Sequence, residues 1–281
     1  MQAKSTSEKL FFTTVRIDTV TTGAQGSGTG FFFNHQLGCL VYTFIVTNKH
    51  VINGVQKWKF TFIKKKNGEP ILGDIFPFEM ESEKSPNAWF GHPDPGIDIA
   101  IFPTGQLIKF VKQTYDTEFF MTGIQTSNIP SAEQIEELDA IEGITFIGYP
   151  NGVWDTKNFL PVARRGTTAS PIAVDFESKP RFLIDASVFG GSSGSPVFIS
   201  DLGGTYAKKT GGTFTGSRFH FVGVVAGVFF RTQLNEIIAV PIPTQVRPMA
   251  QQREMIDLGI VFKARTVVET IEAFLKTQPL P

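Results

Sequence analysis

The sequence predicts an all-β fold of antiparallel strands, as barrels or as a sandwich, on three observations. Short runs rich in Phe, Ile, Val and Thr recur along the chain; Gly, Pro and Asn break them; and 28 of 281 residues are Phe, a residue that suits a pleated, half-buried surface. With 41% apolar and 19% charged residues, the chain has the composition to bury a core rather than stay disordered.

The strand-like runs fall at 11–20, 40–47, 57–63, 97–102, 143–148, 181–185, 219–230 and 236–240. Asn67-Gly68 supplies the positive φ angles of a two-residue hairpin turn. The preceding Lys64-Lys65-Lys66 reads as a solvated hairpin edge, where charge discourages strand addition. Two segments break the strand pattern. Ser131-Ala-Glu-Gln134 is a capping box opening a short helix to about Leu138, midway along the chain. A second box, Thr266-Val-Val-Glu269, precedes Val267, Val268, Ile271, Phe274 and Leu275 at helical spacing, and Pro279 ends that helix.

Charge and cysteine content narrow the function classes. Lys+Arg and Asp+Glu both number 26, so no bulk field draws the chain to nucleic acid or to an anionic membrane. The longest apolar run, Phe221–Phe230, is too short to span a bilayer. The single cysteine, Cys39, excludes an intrachain disulfide and a CxxC zinc site, and its expected place is buried. No secretory leader is visible at Met1 to Lys9, and the expectation is a soluble, cytoplasmic protein. No cofactor or metal site is expected: His92 and Asp94 are a loop pair rather than a ligand set. Arg164-Arg165-Gly166 reads as a solvated strand end, with an anionic partner site as the alternative.

Three short stretches carry chemistry. Gly190-Gly-Ser-Ser-Gly-Ser-Pro-Val-Phe198 is a Gly/Ser cluster between two apolar runs, a tight turn rather than a linker. Its glycines let the backbone turn sharply and aim N–H groups at one point, as a nucleophilic serine and an oxyanion require. His50 ends the apolar run Ile45-Val-Thr-Asn-Lys-His50, where an ordinary packed histidine is also admissible. Asp98 lies in Gly96-Ile-Asp98-Ile-Ala-Ile, apolar on both sides, where a carboxylate needs hydrogen-bond donors and an imidazole N–H would serve. Asp94 is the alternative acid.

Taken in chain order, His, Asp, Ser, these stretches resemble the trypsin/chymotrypsin-like serine proteases. Thr47-Asn-Lys-His50-Val is similar to the family's T-A-A-H signature, Asp98-Ile-Ala-Ile to D-I-A-L, and Gly191-Ser-Ser193-Gly-Ser-Pro196 to G-N-S-G-G-P. Asp185-Ala-Ser-Val resembles the HtrA-type stretch before the serine. Ser193-Gly-Ser-Pro-Val-Phe resembles the V8-type glutamyl endopeptidases, and Glu142-Gly-Ile-Thr-Phe-Ile-Gly-Tyr-Pro150 is similar to the opening of the second barrel in both groups. The resemblance covers roughly residues 10 to 245.

It implies a chymotrypsin-like pair of antiparallel six-stranded β-barrels with a C-terminal helix. The expected layout is a tail at 1–9, a first barrel at 10–125, a linker with a short helix at 126–140, a second barrel at 141–245 and an extension at 246–281 with a helix at 267–277. It further implies a polypeptide substrate, His50, Asp98 and Ser193 as catalytic residues, and an oxyanion hole from the N–H groups of Gly191 and Ser193. Ser187, six before the nucleophile, would sit at the base of the substrate pocket, with Val225, Ala226 and Val228 on its wall. No carboxylate is in place for a basic P1 residue and no histidine for glutamate, so a small or medium apolar P1 is expected.

Ser192 stands where zymogen-type members carry an aspartate. Ordering of the loop by a clipped N-terminus is therefore not expected, and the N-terminal residues should be dispensable. A catalytically silent protease-like binding module stays open as the alternative, as does an unrelated β-sandwich carbohydrate binder. No regulatory partner is identified.

Overall fold

The computed structural model of the chain describes residues 2–151, 153–209, 211–236 and 249–278. A one-turn helix, α1 (Thr6–Leu10), opens the fold, with Ser5 and Glu8 exchanging capping-box bonds. The N-terminal half continues as β1 (Thr14–Thr21), β2 (Ala24–Leu37), β3 (Leu40–Thr47), α2 (Lys49–Ile52), β4 (Lys57–Lys66), β5 (Glu69–Glu81), β6 (Phe90–Gly91), β7 (Ala100–Pro103), α3 (Gly105–Tyr115) and β8 (Ile124–Gln125). A connecting helix, α4 (Ala132–Glu137), leads to β9 (Gly143–Gly148), β10 (Val162–Thr168), β11 (Arg181–Asp185), β12 (Pro196–Ala207), β13 (Thr213–Glu236), β14 (Met249–Lys263) and α5 (Arg265–Thr277).

The two halves are built as the chymotrypsin-like fold requires, with one difference. The second half is the expected closed six-stranded barrel, in the order β10-β11-β14-β13-β12-β9. The first half is an eight-stranded sheet in the order β5-β4-β1-β2-β3-β7-β6, with β8 running parallel to β2, and its hydrogen-bonded path does not close. The added strands β6 and β8 are two residues each, contributed by segments whose composition reads as loop. Strand β2 is long enough to pair with β1 through its first half and with β3 and β8 through its second.

Alternation along the strands distributes the aromatic side chains among three cores. Phe32 joins Ile17, Trp58, Phe60 and Phe62 inside the first half. Val197, Ile199, Val222, Val225 and Val261 join Phe146, Phe182 and Ile184 inside the second. The opposite faces of the same strands meet between the halves, where Phe31, Phe33, Phe44, Ile97, Ile99, Ile101, Phe198, Phe221 and Phe262 form one buried cluster with Val267 and Ile271 of α5. Strands flanking the interface are therefore apolar on both faces. Phe221 sits at its centre, with ring centroids 5.4 Å from Phe31 and 5.9 Å from Phe198, so the barrels hold each other through a packed core.

Several local expectations change. Strand β14 completes the second barrel, so Met249 to Lys263, assigned to the C-terminal extension, are barrel residues. The strand run at 236–240 falls, beyond Glu236, outside the described residues. Helix α5 begins at Arg265, and its predicted capping box does not form: Thr266 lies inside the helix and its hydroxyl donates to the Lys263 carbonyl at 2.8 Å. The box at Ser131 and Gln134 does form. Asn67 and Gly68 make the β4–β5 turn with φ of 52° and 82°. The lysines before it lie beyond the β1 pairing, which ends at Thr61, yet Lys64 and Lys65 do not form an open edge: Lys64 bridges Phe119, the Lys65 N–H donates to the Glu118 carbonyl, and their side chains pair with Asp74 and Glu118. Cys39 is exposed rather than buried, since Gly38-Cys39 is the turn of the β2–β3 hairpin.

Candidate active site

His50 and Asp98 meet where the fold brings two strand ends together. Strands β3 and β7 are antiparallel partners, with Thr47 opposite Ala100, so the residues just after β3 face those just before β7. Helix α2 is a single turn that carries His50, and Asp98 faces it. Ile97, Ile99 and Ile101 point into the inter-barrel core, and alternation puts Asp98 on the other face. His50 Nδ1 lies 2.5 Å from Asp98 Oδ2, and the His50 backbone N–H donates to Asp98 Oδ1 at 3.0 Å. Asn48 Nδ2 donates to the Asp98 carbonyl at 2.7 Å. With its Nδ1 proton directed at a carboxylate, the imidazole presents a bare Nε2. The His50 side chain is 48% exposed and that of Asp98 27%, so the carboxylate is the more shielded of the two and the imidazole is open to solvent.

The alternative acid, Asp94, does not reach His50. Its carboxylate accepts from the Gly96 N–H at 2.7 Å, and its carbonyl accepts from Lys49 Nζ at 2.8 Å. Burial lowers the pKa of Lys49 from its ordinary value, with the charges of Asp98 and Asp94 opposing the shift. His92 ties this loop to α5, accepting from the Asp94 N–H and facing Glu269 at 3.4 Å.

Ser193 lies in the turn between β11 and β12, whose backbone is anchored by a series of hydrogen bonds from Gly190 to Ser195. The Gly190 carbonyl accepts from the Asn151 N–H at 2.7 Å. The Gly191 carbonyl accepts from the Thr29 hydroxyl at 2.9 Å, and the Ser192 N–H of the same peptide donates to Phe189 at 3.0 Å. The Ser192 carbonyl accepts from Ser195, and the Ser193 carbonyl accepts from the Thr29 N–H at 2.9 Å. Gly194 donates to the Val225 carbonyl at 2.8 Å. The N–H groups of Gly191 and Ser193, like those of residues 187–190, have no hydrogen-bond partner among the described residues. Two neighbouring unpaired donors on an anchored loop are what an oxyanion site requires.

Glycine is needed at two positions here. Gly191 and Gly194 have φ of 84° and 86°, and a Cβ on Gly194 would collide with the Thr29 carbonyl and the Thr47 hydroxyl. That close approach joins the two halves of the site. Thr47 Oγ1 donates to the Thr29 carbonyl at 2.7 Å, so a chain of bonds runs from the Ser193 backbone through Thr29 to a residue three before His50. Among the described residues His50 Nε2 and Ser193 Oγ make no hydrogen bond, a link that is often long in unliganded sites. The Ser192 hydroxyl is buried without a partner, and the loop is held by neutral hydrogen bonds.

The expected pocket residues are grouped beside this loop. Val225 donates to the Ser195 carbonyl at 2.9 Å and accepts from Gly194, which fixes β13 along the site. Its side chain is fully buried in the second barrel core. Ala226 and Val228 are half-buried, and Val228 lies opposite Gly259 and packs on the same core. Ser187 is exposed. Arg164 departs from the expected solvated strand end: its guanidinium lies 4.6 Å from the Phe189 ring centroid and 5.6 Å from that of Phe146, against the loop that carries Ser193.

Thr29, Asn48 and Asn151 were not singled out by the sequence reading, although each anchors a site residue. The available signal was a polar β-branched residue amid glycines, in Gly26-Ser-Gly-Thr-Gly30. Gly28 and Gly30 lie against Val51 and Ile45, so the run is a tightly packed strand rather than a loop.

The chain is similar to the crystal structure of a protease from M. tuberculosis in its active form, at 16% identity and TM-score 0.47, over 97% of this chain and 85% of that one. It is similar to the thermostable serine protease AL20 from an extremophilic microorganism, at 13% identity and TM-score 0.48, over 95% and 99% of the two chains. A serine endoprotease from Yersinia pestis matches at 13% identity and TM-score 0.47, over 98% and 68%. The search of curated proteins finds no match. The family model for the trypsin-like peptidase domain matches residues 28–204, a span holding His50, Asp98 and Ser193, and the chain belongs to this family of serine endopeptidases.

Proposed function

We propose that the protein hydrolyses peptide bonds by covalent catalysis through Ser193, with His50 as base and Asp98 as its orienting acid. The observation that carries the reading is the pairing of His50 Nδ1 with Asp98 Oδ2 at 2.5 Å in the same fold as an anchored serine loop with two free N–H groups. His50 Nε2 takes the Ser193 Oγ proton as the oxygen attacks the scissile carbonyl carbon. The carbonyl electron pair moves onto oxygen, where the Gly191 and Ser193 N–H groups receive it. The tetrahedral adduct collapses with the amine leaving, His50 returning its proton to that nitrogen. Water then attacks the Ser193 ester with His50 again as base, releasing the acid and restoring the hydroxyl.

For the residue before the scissile bond we propose a small or medium apolar side chain. Ser187 supplies a hydroxyl rather than a carboxylate, and Ala226 and Val228 are apolar and half-buried, whereas the Val225 side chain lies in the barrel core and does not face a substrate. A second P1 reading comes from Arg164, whose Nη1 is buried without a partner while its guanidinium lies on Phe189; it would favour an acidic side chain. Digestion of a peptide library by the wild type, with Ser193→Ala as control, separates these. Cleavage after Ala, Val or similar residues is the expected outcome, cleavage after Asp or Glu gives the Arg164 reading, and cleavage by neither protein leaves a silent binding module.

A further inference from the structure

The Thr29 hydroxyl has a place in the site that no role assigned above accounts for. Thr29 is fully buried and uses every polar atom it has. Its backbone binds Ser193 and Thr47, while its hydroxyl donates to the Gly191 carbonyl and accepts from the Tyr149 N–H, both at 2.9 Å. The hydroxyl thus spans from β2 of the first half to two segments of the second. Gly148 leaves room for it, since a Cβ there would run into Thr29 Oγ1.

The Gly191 carbonyl belongs to the peptide just after the oxyanion donor. A glycine-rich loop has several accessible states; the Gly191 Cα joins this peptide to the one that bears the Gly191 N–H, so releasing the carbonyl frees the torsions at Gly191 and lets the Gly190–Gly191 peptide turn its N–H off line. We propose that Thr29 is a positioning residue for the oxyanion hole: its hydroxyl fixes the Gly191–Ser192 peptide, and so the direction of the Gly191 N–H, by tying the nucleophile loop to the histidine-bearing half. The inference rests on the serine-nucleophile reading.

Thr29→Val keeps the shape and removes the hydroxyl; Thr29→Ser keeps the hydroxyl and removes a methyl. Loss of one oxyanion donor slows such reactions by roughly 10²–10³-fold. The rate of labelling by a fluorophosphonate, measured well below each melting temperature, should therefore fall about 10²-fold in Thr29→Val and stay within about twofold of wild type in Thr29→Ser. If Thr29→Val does not fold, Thr29→Ala removes the same hydroxyl without a methyl against Gly148 and carries the same expectation. Equal rates in wild type and the hydroxyl-less variant would overturn the inference, as would an equal fall in Thr29→Ser. A wild type that is not labelled, like Ser193→Ala, would instead overturn the serine-nucleophile reading beneath it.

Discussion

Replacing Asp98 by Asn should lower kcat about 10⁴-fold while leaving the fold in place. The reason lies in which proton the imidazole carries. Asp98 Oδ2 accepts a hydrogen bond from the Nδ1–H at 2.5 Å, so the proton-free nitrogen is Nε2. An asparagine amide there can donate to Nδ1, favouring the tautomer whose Nε2 already bears a proton and cannot accept another. The loss corresponds to about 5.4 kcal/mol of transition-state stabilisation at 1.36 kcal/mol per tenfold. The substitution is nearly isosteric, and the Asn48 bond goes to the backbone carbonyl of Asp98, which it does not change. The melting temperature should shift little. Steady-state kinetics beside a thermal melt checks both, and a variant within tenfold of wild type would remove Asp98 from the mechanism.

Gly194→Ala should damage stability and activity together, and more than any left-handed glycine on the surface. At φ of 86° an alanine costs roughly 1–2 kcal/mol on conformational grounds alone. Its Cβ would also strike the Thr29 carbonyl and the Thr47 hydroxyl, pushing apart the two segments that bring Ser193 and His50 into one site. Gly203 is the control: its φ is 73° and a Cβ there meets nothing within 4 Å. Gly203→Ala should show only the conformational cost and full activity. Gly194→Ala should cost about 1–3 kcal/mol beyond that, the usual scale for overpacking a tight site, and should lose most of its turnover. Urea titrations of the two variants, each with an activity measurement, make the comparison. Equal stability and equal activity in both would mean that the approach of the serine loop to Thr29 does not hold the site together.

What the sequence made legible, and what it did not, divides along physical lines. Strands β3, β9 and β11 are readable because each is a short apolar run between breakers, and the β4–β5 turn because Asn-Gly has few other uses. The pairing of His50 with Asp98 could be anticipated because a carboxylate between buried isoleucines needs a donor. Strand β14 was missed: Gln251, Gln252, Arg253 and Glu254 carry no apolar alternation, and it pairs with β13 through backbone bonds that composition does not reveal. Strand β2 was hidden by its glycines, which close packing against Val51 and Ile45 requires. The Thr266 box failed because the same residues fit two registers, and the hydroxyl bonds backward to Lys263 rather than forward. Thr29 was invisible for a deeper reason. Its partners Tyr149, Gly191 and Ser193 lie 120 or more positions away, and only the meeting of the two halves gives its hydroxyl something to hold.

The central claim is that Ser193, activated by His50, is the nucleophile. The most direct measurement is to react the intact protein with a fluorophosphonate and locate the adduct by peptide mass spectrometry. One adduct is expected, on Ser193, absent in Ser193→Ala and formed far more slowly in His50→Ala. An unlabelled wild type, or an adduct on another residue that survives in Ser193→Ala, would contradict it.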